Sequence, residues 1–373
     1  MKFITIGGAT QDLFITTTEN FTSKDPTKKF ESYHLPYILG EKTETNNLKY
    51  LIGGGATNSA VSLKRLGFEV SCFCSIGKDS AGKTITQDLA KEKINTTLIH
   101  SSHEYKTGLS IILRSEQGGE STIFAYRGAN SFLTTKEILF KQIQNCNYLY
   151  ITSLSNQSAK ILPQITEFAH KNSILIATNP GKSQLSEDTT HLKKSLKHID
   201  IFILNSSEAK KLMSTLTKEG IHSQNSKTPS RKQKCTFNIS NEHPYLIDTI
   251  ISYNAISFNL RTFFSTMLNL GPSIVIVTNG CNGVYVAIKN TIYFHPSIKL
   301  NVIDTVGAGD AFGSCFVGCI RKGLSIKEAL RSGIANSASV LSHIGAKKGL
   351  LTQEQLQKNI KTIDPNLLQT FSL

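Results

Sequence analysis

The sequence contains no run of roughly eighteen consecutive apolar residues, the length that a transmembrane helix needs. Its first residues are weakly basic, and Gly7, Gly8 and Asp12 interrupt the apolar stretch too early for a secretory signal. The seven cysteines are an odd number and form no C-x-x-C pair, so neither a disulfide framework nor a zinc knuckle is indicated. These absences predict a reduced, cytoplasmic protein with no membrane partner.

Two familiar nucleotide-binding motifs are also absent. The chain has no G-x-x-x-x-G-K-[ST] segment, which excludes a Walker A loop. The segment Gly307–Gly313 is one residue too long for the dinucleotide fingerprint G-x-G-x-x-G, and it lies near the C-terminal end instead of after the first strand. The spacing therefore argues against a dehydrogenase.

The charge is strongly positive. Lys and Arg number 41 against 27 Asp and Glu, a net charge of +14, while 39% of the 373 residues are hydrophobic. This composition is that of a globular protein whose surface favours anions such as nucleotides, sugar phosphates or nucleic acid. Neither a C₂H₂ zinc-finger pattern nor an RNP-type aromatic pattern is present, which makes a basic nucleic-acid-binding protein only a remote alternative.

Short apolar runs alternate with amphipathic stretches along the whole chain. The runs are Phe3–Ile6, Val70–Ile76, Tyr148–Ile151, Ile174–Ala177, Ile201–Leu204 and Ile274–Val277. Continuous apolar strands separated by helices favour a parallel sheet that is covered on both faces. We predict an α/β fold, with a doubly wound, mostly parallel sheet flanked by helices.

Two parts of the chain break this alternation. Segments of about 13–50 and 107–126 contain extended stretches and predict a small β-rich lid on one side of the sheet. Residues of about 218–256 contain a polar, basic core, which predicts a mobile insertion. The insertion could cover ATP, bind a partner or have neither role. We expect residues 1–373 to form a single domain that carries these additions.

The most informative segment runs from Asn301 to Gly313. An apolar strand end leads through Asp304 to Gly307-Ala308-Gly309 and then into a helical pattern from Asp310. Glycines at such a turn let backbone N–H groups converge at a helix N-terminus, which favours anions. Asp310 at the edge of this anion cradle can accept a proton from an attacking hydroxyl, as phosphoryl transfer requires. The alternative is an ordinary helix start, where Asp310 favours the helix dipole.

Asp304–Phe312 resembles the C-terminal signature of the ribokinase-like (pfkB) family of sugar and nucleoside kinases, and Gly53–Gly67 resembles its N-terminal signature. Further similar pieces lie between and around them: Gly77–Gly82, Arg127–Asn130, Asn205–Glu208 and Thr278–Gly283. The resemblance covers nearly the whole chain apart from the basic insertion. It implies a ribokinase-like fold and an ATP-dependent kinase that phosphorylates a sugar hydroxyl, with a nucleoside kinase of the same fold as the alternative.

The resemblance also implies site residues on the acceptor side. Asp310 corresponds to the general base, and Gly307, Ala308 and Gly309 correspond to the anion hole. The residues expected to bind substrate are Asp12, Gly54, Gly55, Asn58 and Arg127, together with Asp310. Three of them have a structural alternative: Asn58 as a helix N-cap, Asp12 as an exposed turn residue and Arg127 as a surface arginine.

On the nucleotide side, the resemblance implies that Asn205 and Glu208 organise ATP and Mg²⁺, with Glu208 acting through water. Their spacing equally fits a capping box. Thr278, Gly280, Gly283 and Gly309 are expected along the nucleotide, and Asn336 near adenine unless it is a solvated helix residue. The family often binds a monovalent cation, which implies K⁺ at Asp304, and lid strands in the family pair between subunits, which implies a homodimer.

Overall fold

The computed structural model describes residues 1–17, 45, 47–115, 121–134, 140–185, 189–218, 246–254 and 256–373. The predicted lid segment 13–50 therefore lies outside the described residues at 18–44 and 46. The predicted insertion 218–256 lies outside them at 219–245 and 255.

The large sheet has nine strands in the described residues. In spatial order they are β17 (Gln369–Ser372), β16 (Thr291–His295), β15 (Val284–Ile288), β14 (Ile274–Thr278), β11 (Ile201–Asn205), β10 (Leu175–Thr178), β9 (Tyr148–Ile151), β1 (Lys2–Ile6) and β4 (Glu69–Phe73). The strands from β14 to β4 are parallel, whereas β15, β16 and β17 add an antiparallel edge. The expected mostly parallel sheet is confirmed.

Helices cover both faces of this sheet. They are α1 (Gly55–Arg65), α2 (Ser80–Lys91), α3 (Phe140–Ile143), α4 (Leu162–Lys171), α5 (Thr190–Leu196), α6 (Ser206–Lys218), α7 (Leu260–Asn269), α8 (Ala308–Arg321), α9 (Ile326–Leu341) and α10 (Gln353–Ile360). Side chains alternate across a strand, and in β1 Phe3 packs into one apolar core while Ile4 and Ile6 pack into the other. Burial on both faces explains why the strands read as continuous apolar runs.

In the described residues, a separate sheet of four strands corresponds to the predicted lid. Its order is β3 (Asn47–Gly53), β2 (Thr10–Thr17), β7 (Gly108–Ser115) and β8 (Thr122–Tyr126). In register, Asp12 lies between Leu51 of β3 and Ser110 of β7. The predicted small sheet is confirmed, but its first strand begins at Thr10, three residues earlier than the expected boundary.

Two short strand pairs complete the described structure. Strands β5 (Ser75–Gly77) and β6 (His100–Ser102) pair in parallel, so the apolar run Val70–Ile76 is divided between two sheets. Strands β12 (Ile251–Tyr253) and β13 (Ile256–Phe258) form a hairpin at the end of the predicted insertion. None of the helices in the described ranges has the length and apolar character needed to span a bilayer.

Candidate active site

The N-terminus of α8 has the geometry of an anion cradle. Gly307 is the N-cap with φ +82°, a left-handed conformation that glycine adopts without strain, and a Cβ there would lie 2.3 Å from the Cβ of Ala346. A Cβ built on Gly309 would meet nothing within 4 Å, so the space beside this first turn is open. The first N–H groups of a helix have no intrahelical acceptor, and here they border that open space.

Asp310 lies in this first turn and is held from the opposite side by α1. Asn58 Nδ2 donates a hydrogen bond to Asp310 Oδ2 at 2.9 Å. The Asp310 side chain is half-buried, and burial raises the pKa of its carboxyl; the Asn58 hydrogen bond lowers that pKa, and the charge of Asp12 raises it. A carboxylate with a raised pKa is a stronger base than an exposed aspartate.

Asn58 itself lies within α1, so the N-cap interpretation is wrong; Gly54 holds the cap position. Only 4% of the Asn58 side chain is exposed, and its Oδ1 is buried without a hydrogen-bond partner. Gly54 lies against the backbone of Gly8, and a Cβ on Gly54 would be 2.4 Å from the carbonyl oxygen of Gly8. The turn thus presents one unused amide oxygen beside the carboxylate of Asp310.

Asp12 lies on β2 and is 5% exposed, so the interpretation as an exposed turn residue is wrong. Its carboxylate accepts a hydrogen bond from Thr10 Oγ1, at 2.8 Å, and the nearby hydroxyl of Ser110 also lowers its pKa. Burial raises the pKa of Asp12, whereas its hydrogen bonds and the nearby ammonium of Lys347 lower it. Asp12 and Asp310 are close enough for the charge of one to raise the pKa of the other, so the structure brings these two carboxylates together.

Asp304 is almost fully buried beneath the cradle. Its Oδ1 accepts from Val306 N at 3.1 Å and its Oδ2 from Gly345 N at 2.8 Å. The carboxylate therefore fixes the loop that leads into Gly307 and ties it to the segment after α9. Both oxygens are used in this way, and a role in binding a monovalent cation remains a prediction.

Asn205 and Glu208 lie at the junction of β11 and α6. Glu208 Oε2 accepts from Asn205 N at 2.8 Å, and Asn205 Oδ1 accepts from Glu208 N at 2.9 Å. The capping-box geometry is confirmed. Burial raises the pKa of Glu208, and its Oε1 takes no part in the cap. A site with one free carboxylate oxygen suits Mg²⁺, because Mg²⁺ keeps several waters and takes substrate oxygens as its other ligands.

Thr278 ends β14 in register with Asn205, so both lie at the carboxyl edge of the sheet, where ligands bind in folds of this type. A Cβ on Gly280, at φ +54°, would meet nothing within 4 Å. A Cβ on Gly283, at φ +99°, would lie 2.3 Å from the carbonyl oxygen of His295. Gly280 thus offers an open approach to a ligand, whereas Gly283 is needed for the packing of the turn.

Asn336 is buried inside the protein, so the alternative of a solvated helix residue is wrong. Its Nδ2 donates to Ala311 O and Ser62 Oγ, and its Oδ1 accepts from Leu351 N. Both amide hydrogens are used within the core, which leaves none for an adenine ring. Arg127 is exposed at the end of β8, as the surface alternative predicts.

Two further residues next to the site carry no signal in the sequence. Burial raises the pKa of the Tyr150 hydroxyl, and the nearby charge of Asp310 raises it further. A Cβ on Gly313 would lie 2.4 Å from this hydroxyl. The ammonium of Lys347 lies 3.5 Å from Asp88 Oδ2, and burial lowers its pKa. Both residues lie in segments whose local pattern predicts only a strand or a loop.

The model of the family described as "pfkB family carbohydrate kinase" matches residues 29–235 and 261–353 of the chain. The ribokinase of Haemophilus influenzae is 27% identical over 328 residues, covering 86% of this chain and 92% of the relative. The ATP-dependent 6-phosphofructokinase of Thermoanaerobacterium thermosaccharolyticum is 24% identical, covering 82% and 84%. The structure of Arabidopsis thaliana ribokinase complexed with ribose and ATP is similar in fold, with a TM-score of 0.70 at 17% identity, covering 97% of this chain and 99% of that one.

Proposed function

The chain belongs to the pfkB family of carbohydrate kinases and is an ATP-dependent phosphotransferase, and from this premise we propose that it phosphorylates a hydroxyl group of a sugar, with Asp310 as general base. The observation that carries this proposal is the position of Asp310. It lies beside open space at a helix N-terminus and is oriented by Asn58. A base and a cradle of backbone donors for the transferring group are the elements that phosphoryl transfer requires.

The acceptor binds between the lid and the carboxyl edge of the large sheet. Asp12 and the free Oδ1 of Asn58 are acceptors for its hydroxyl groups, and the backbone at Gly54 and Gly55 permits close approach. Asp310 removes the proton from the reacting hydroxyl. The N–H groups of the Gly307–Gly309 turn stabilise the charge that develops on the phosphoryl oxygens.

ATP binds along the ends of β11 and β14. Glu208 would hold Mg²⁺ through water, and Gly280 would let the backbone approach the nucleotide. When bound there, Mg²⁺ would supply positive charge that offsets the charge of the phosphates. A potassium ion at the loop of Asp304 would stabilise the cradle further, and closure of the lid would exclude water from the reacting groups.

The test is an acceptor panel with purified protein, ATP and Mg²⁺. Product is identified by ³¹P NMR, and rates are compared in potassium and in choline salts. We expect transfer to a pentose or hexose and faster turnover in potassium. Transfer only to nucleosides would establish the nucleoside alternative, and ATP-independent binding of nucleic acid with no transfer would contradict the kinase assignment. Equal rates in the two salts would exclude the potassium site.

A further inference from the structure

Arg114 is a charged residue on the inner face of the lid. It lies on β7 in register with Thr16 of β2. Because side chains alternate along a strand, Arg114 points to the same side of the sheet as Ile112 and Ser110, and Ser110 lies in register with Asp12. Four residues along a strand correspond to about 13 Å between Ser110 and Arg114. Arg114 therefore lies on the face that carries Asp12, farther along the lid.

The guanidinium of Arg114 reaches the main body of the protein at the cradle loop. Its Nη2 donates to the carbonyl oxygen of Ile303 at 3.0 Å. Ile303 directly precedes Asp304, the residue that fixes the loop leading into Gly307. The positive charge of Arg114 is thus held at the start of the segment that carries Asp310.

Among the described residues, this charge has few partners. Only 6% of Arg114 is exposed, and its Nη1 is buried without a hydrogen-bond partner. Among the described residues, no carboxylate lies within ion-pair distance of it. By contrast, Arg65 pairs with Glu92 and also donates to two carbonyl groups, while Arg331 donates to two carbonyl groups. Unlike these two arginines, Arg114 keeps a buried terminal nitrogen without a hydrogen-bond partner, and it lies on the lid face that carries Asp12.

A buried guanidinium without an anion is unfavourable, because water that would solvate the charge has been removed. The planar guanidinium group matches the oxygens of a phosphoryl group, which it binds with two parallel hydrogen bonds. We propose that Arg114 binds phosphoryl oxygens that enter the cleft with a substrate. These oxygens belong either to the terminal phosphate of ATP or to a phosphate ester on the acceptor. The proposal rests on the proposed kinase function and adds a residue that selects its ligands by charge.

The experiment compares the wild type with Arg114→Met, which removes the charge but keeps an unbranched stem. Isothermal titration calorimetry measures two ratios of affinity in the presence of Mg²⁺: AMP-PNP against ADP, and fructose 6-phosphate against fructose. Removing a charge-assisted hydrogen bond is expected to reduce one of these ratios by about tenfold or more. Arg261→Met is the matched control, since Arg261 pairs with Asp248 away from the site.

A loss confined to the first ratio assigns Arg114 to the terminal phosphate of ATP, and a loss confined to the second assigns it to a phosphorylated acceptor. Both ratios within about twofold of wild type, with Arg261→Met equally unchanged, overturn the proposal. If Arg114→Met does not fold, Arg114→Lys takes its place, because lysine keeps the charge but lacks the planar group. The same two affinity ratios are then measured for Arg114→Lys. Both ratios measure binding and not turnover. If the wild type bound these ligands but transferred no phosphoryl group, that result would count against the proposed kinase function and not against the role of Arg114 in binding.

Discussion

Asn58 and Asp310 are separated by 252 residues in the sequence and meet through a hydrogen bond of 2.9 Å between Nδ2 and Oδ2. One residue belongs to α1, which follows the first lid strands, and the other to α8, which begins at the anion cradle. The hydrogen bond fixes the orientation of the Asp310 carboxylate and leaves the Oδ1 of Asn58 free beside it. Two distant parts of the chain thus place the carboxylate that we propose as the base beside the amide oxygen that we propose as an acceptor for a substrate hydroxyl.

Asp310→Asn should abolish turnover while leaving the fold and nucleotide binding largely intact. The amide oxygen of the new side chain can still accept the hydrogen bond from Asn58, but it cannot take a proton from the acceptor. General-base catalysis contributes on the order of 100-fold to 10,000-fold, so kcat should fall at least 100-fold. Steady-state kinetics and calorimetry with AMP-PNP measure the two effects. Asp248→Asn is the exposed control, and retention of a tenth of wild-type kcat by Asp310→Asn would exclude its role as base.

The pH dependence of kcat/KM should follow the pKa of Asp310. The base acts only when deprotonated, so activity is lost as pH falls through a pKa that burial has raised above that of an ordinary aspartate. Asn58→Ala removes the hydrogen bond that lowers this pKa, so the acid limb should move to higher pH. Asp12→Asn removes the charge that raises it, so the acid limb should move to lower pH. Shifts of both variants in the same direction would contradict this assignment.

The sequence predicted the main strands and the lid because both have a regular local signal. Strands β1, β9, β11 and β14 are apolar runs, and burial on two faces is the cause of that pattern. The run Val70–Ile76 reads as one strand, but its two halves pair in different sheets. The strand with which each half pairs lies far away in the chain. The local periodicity of the run therefore carries no information about that partner.

In the candidate site, too, the features with a local cause were predicted from the sequence, and those that depend on distant residues were not. The glycines before Asp310 predicted the helix start, because it depends on local backbone geometry, and the structure leaves open space beside Gly309. The environments of Asp12 and Asn336 were not predictable from local pattern, since their burial depends on Ser110 and on Leu351 N. Arg114 lies near the end of an apolar strand. Nothing in the local sequence indicates that its Nη2 reaches Ile303 O.

Two glycines of the cradle should respond differently to the same substitution. Gly307→Ala should destabilise the protein, because an L-residue at φ +82° is strained by about 1–2 kcal/mol and its Cβ would collide with Ala346. Gly309→Ala should keep the free energy of unfolding or raise it by up to about 1 kcal/mol, because its Cβ meets nothing and alanine favours a helix.

The methyl group at position 309 would enter the space assigned to the phosphoryl group, so kcat/KM should fall on the order of 100-fold, as when one donor of an oxyanion hole is lost. Urea unfolding and steady-state kinetics measure the two quantities for each variant. Full activity of Gly309→Ala would show that the open space beside this turn does not receive the phosphoryl group.

Glu208 has a structural role in the cap of α6 and a proposed role toward Mg²⁺, and two variants separate them. Glu208→Gln can still accept from Asn205 N, so its free energy of unfolding should stay near that of wild type, while turnover should require higher Mg²⁺ concentrations. Glu208→Ala loses the cap as well and should be destabilised by about 1 kcal/mol. Magnesium titrations of activity together with urea unfolding test this, and an unchanged Mg²⁺ dependence in Glu208→Gln would leave the residue with the cap alone.

The outer face of the lid should join two copies of the chain. Tyr50, Phe124 and Tyr126 are 62%, 53% and 54% exposed, and Tyr50 and Phe124 lie in register with Leu13 and Ile111. Strand alternation places these side chains on the face opposite Asp12, and an exposed apolar patch of this kind is typical of a protein–protein contact.

Burial of this face by an identical lid would remove the aromatic side chains from water, so we expect a homodimer in sedimentation velocity. Phe124→Asp should shift it toward monomer, because dimerisation would then bury a charge without a partner. Leu367→Asp is the control, since Leu367 is 45% exposed and lies outside the lid. A wild-type monomer at every concentration, or a Phe124→Asp variant that dimerises as well as the control, would exclude the lid as the interface.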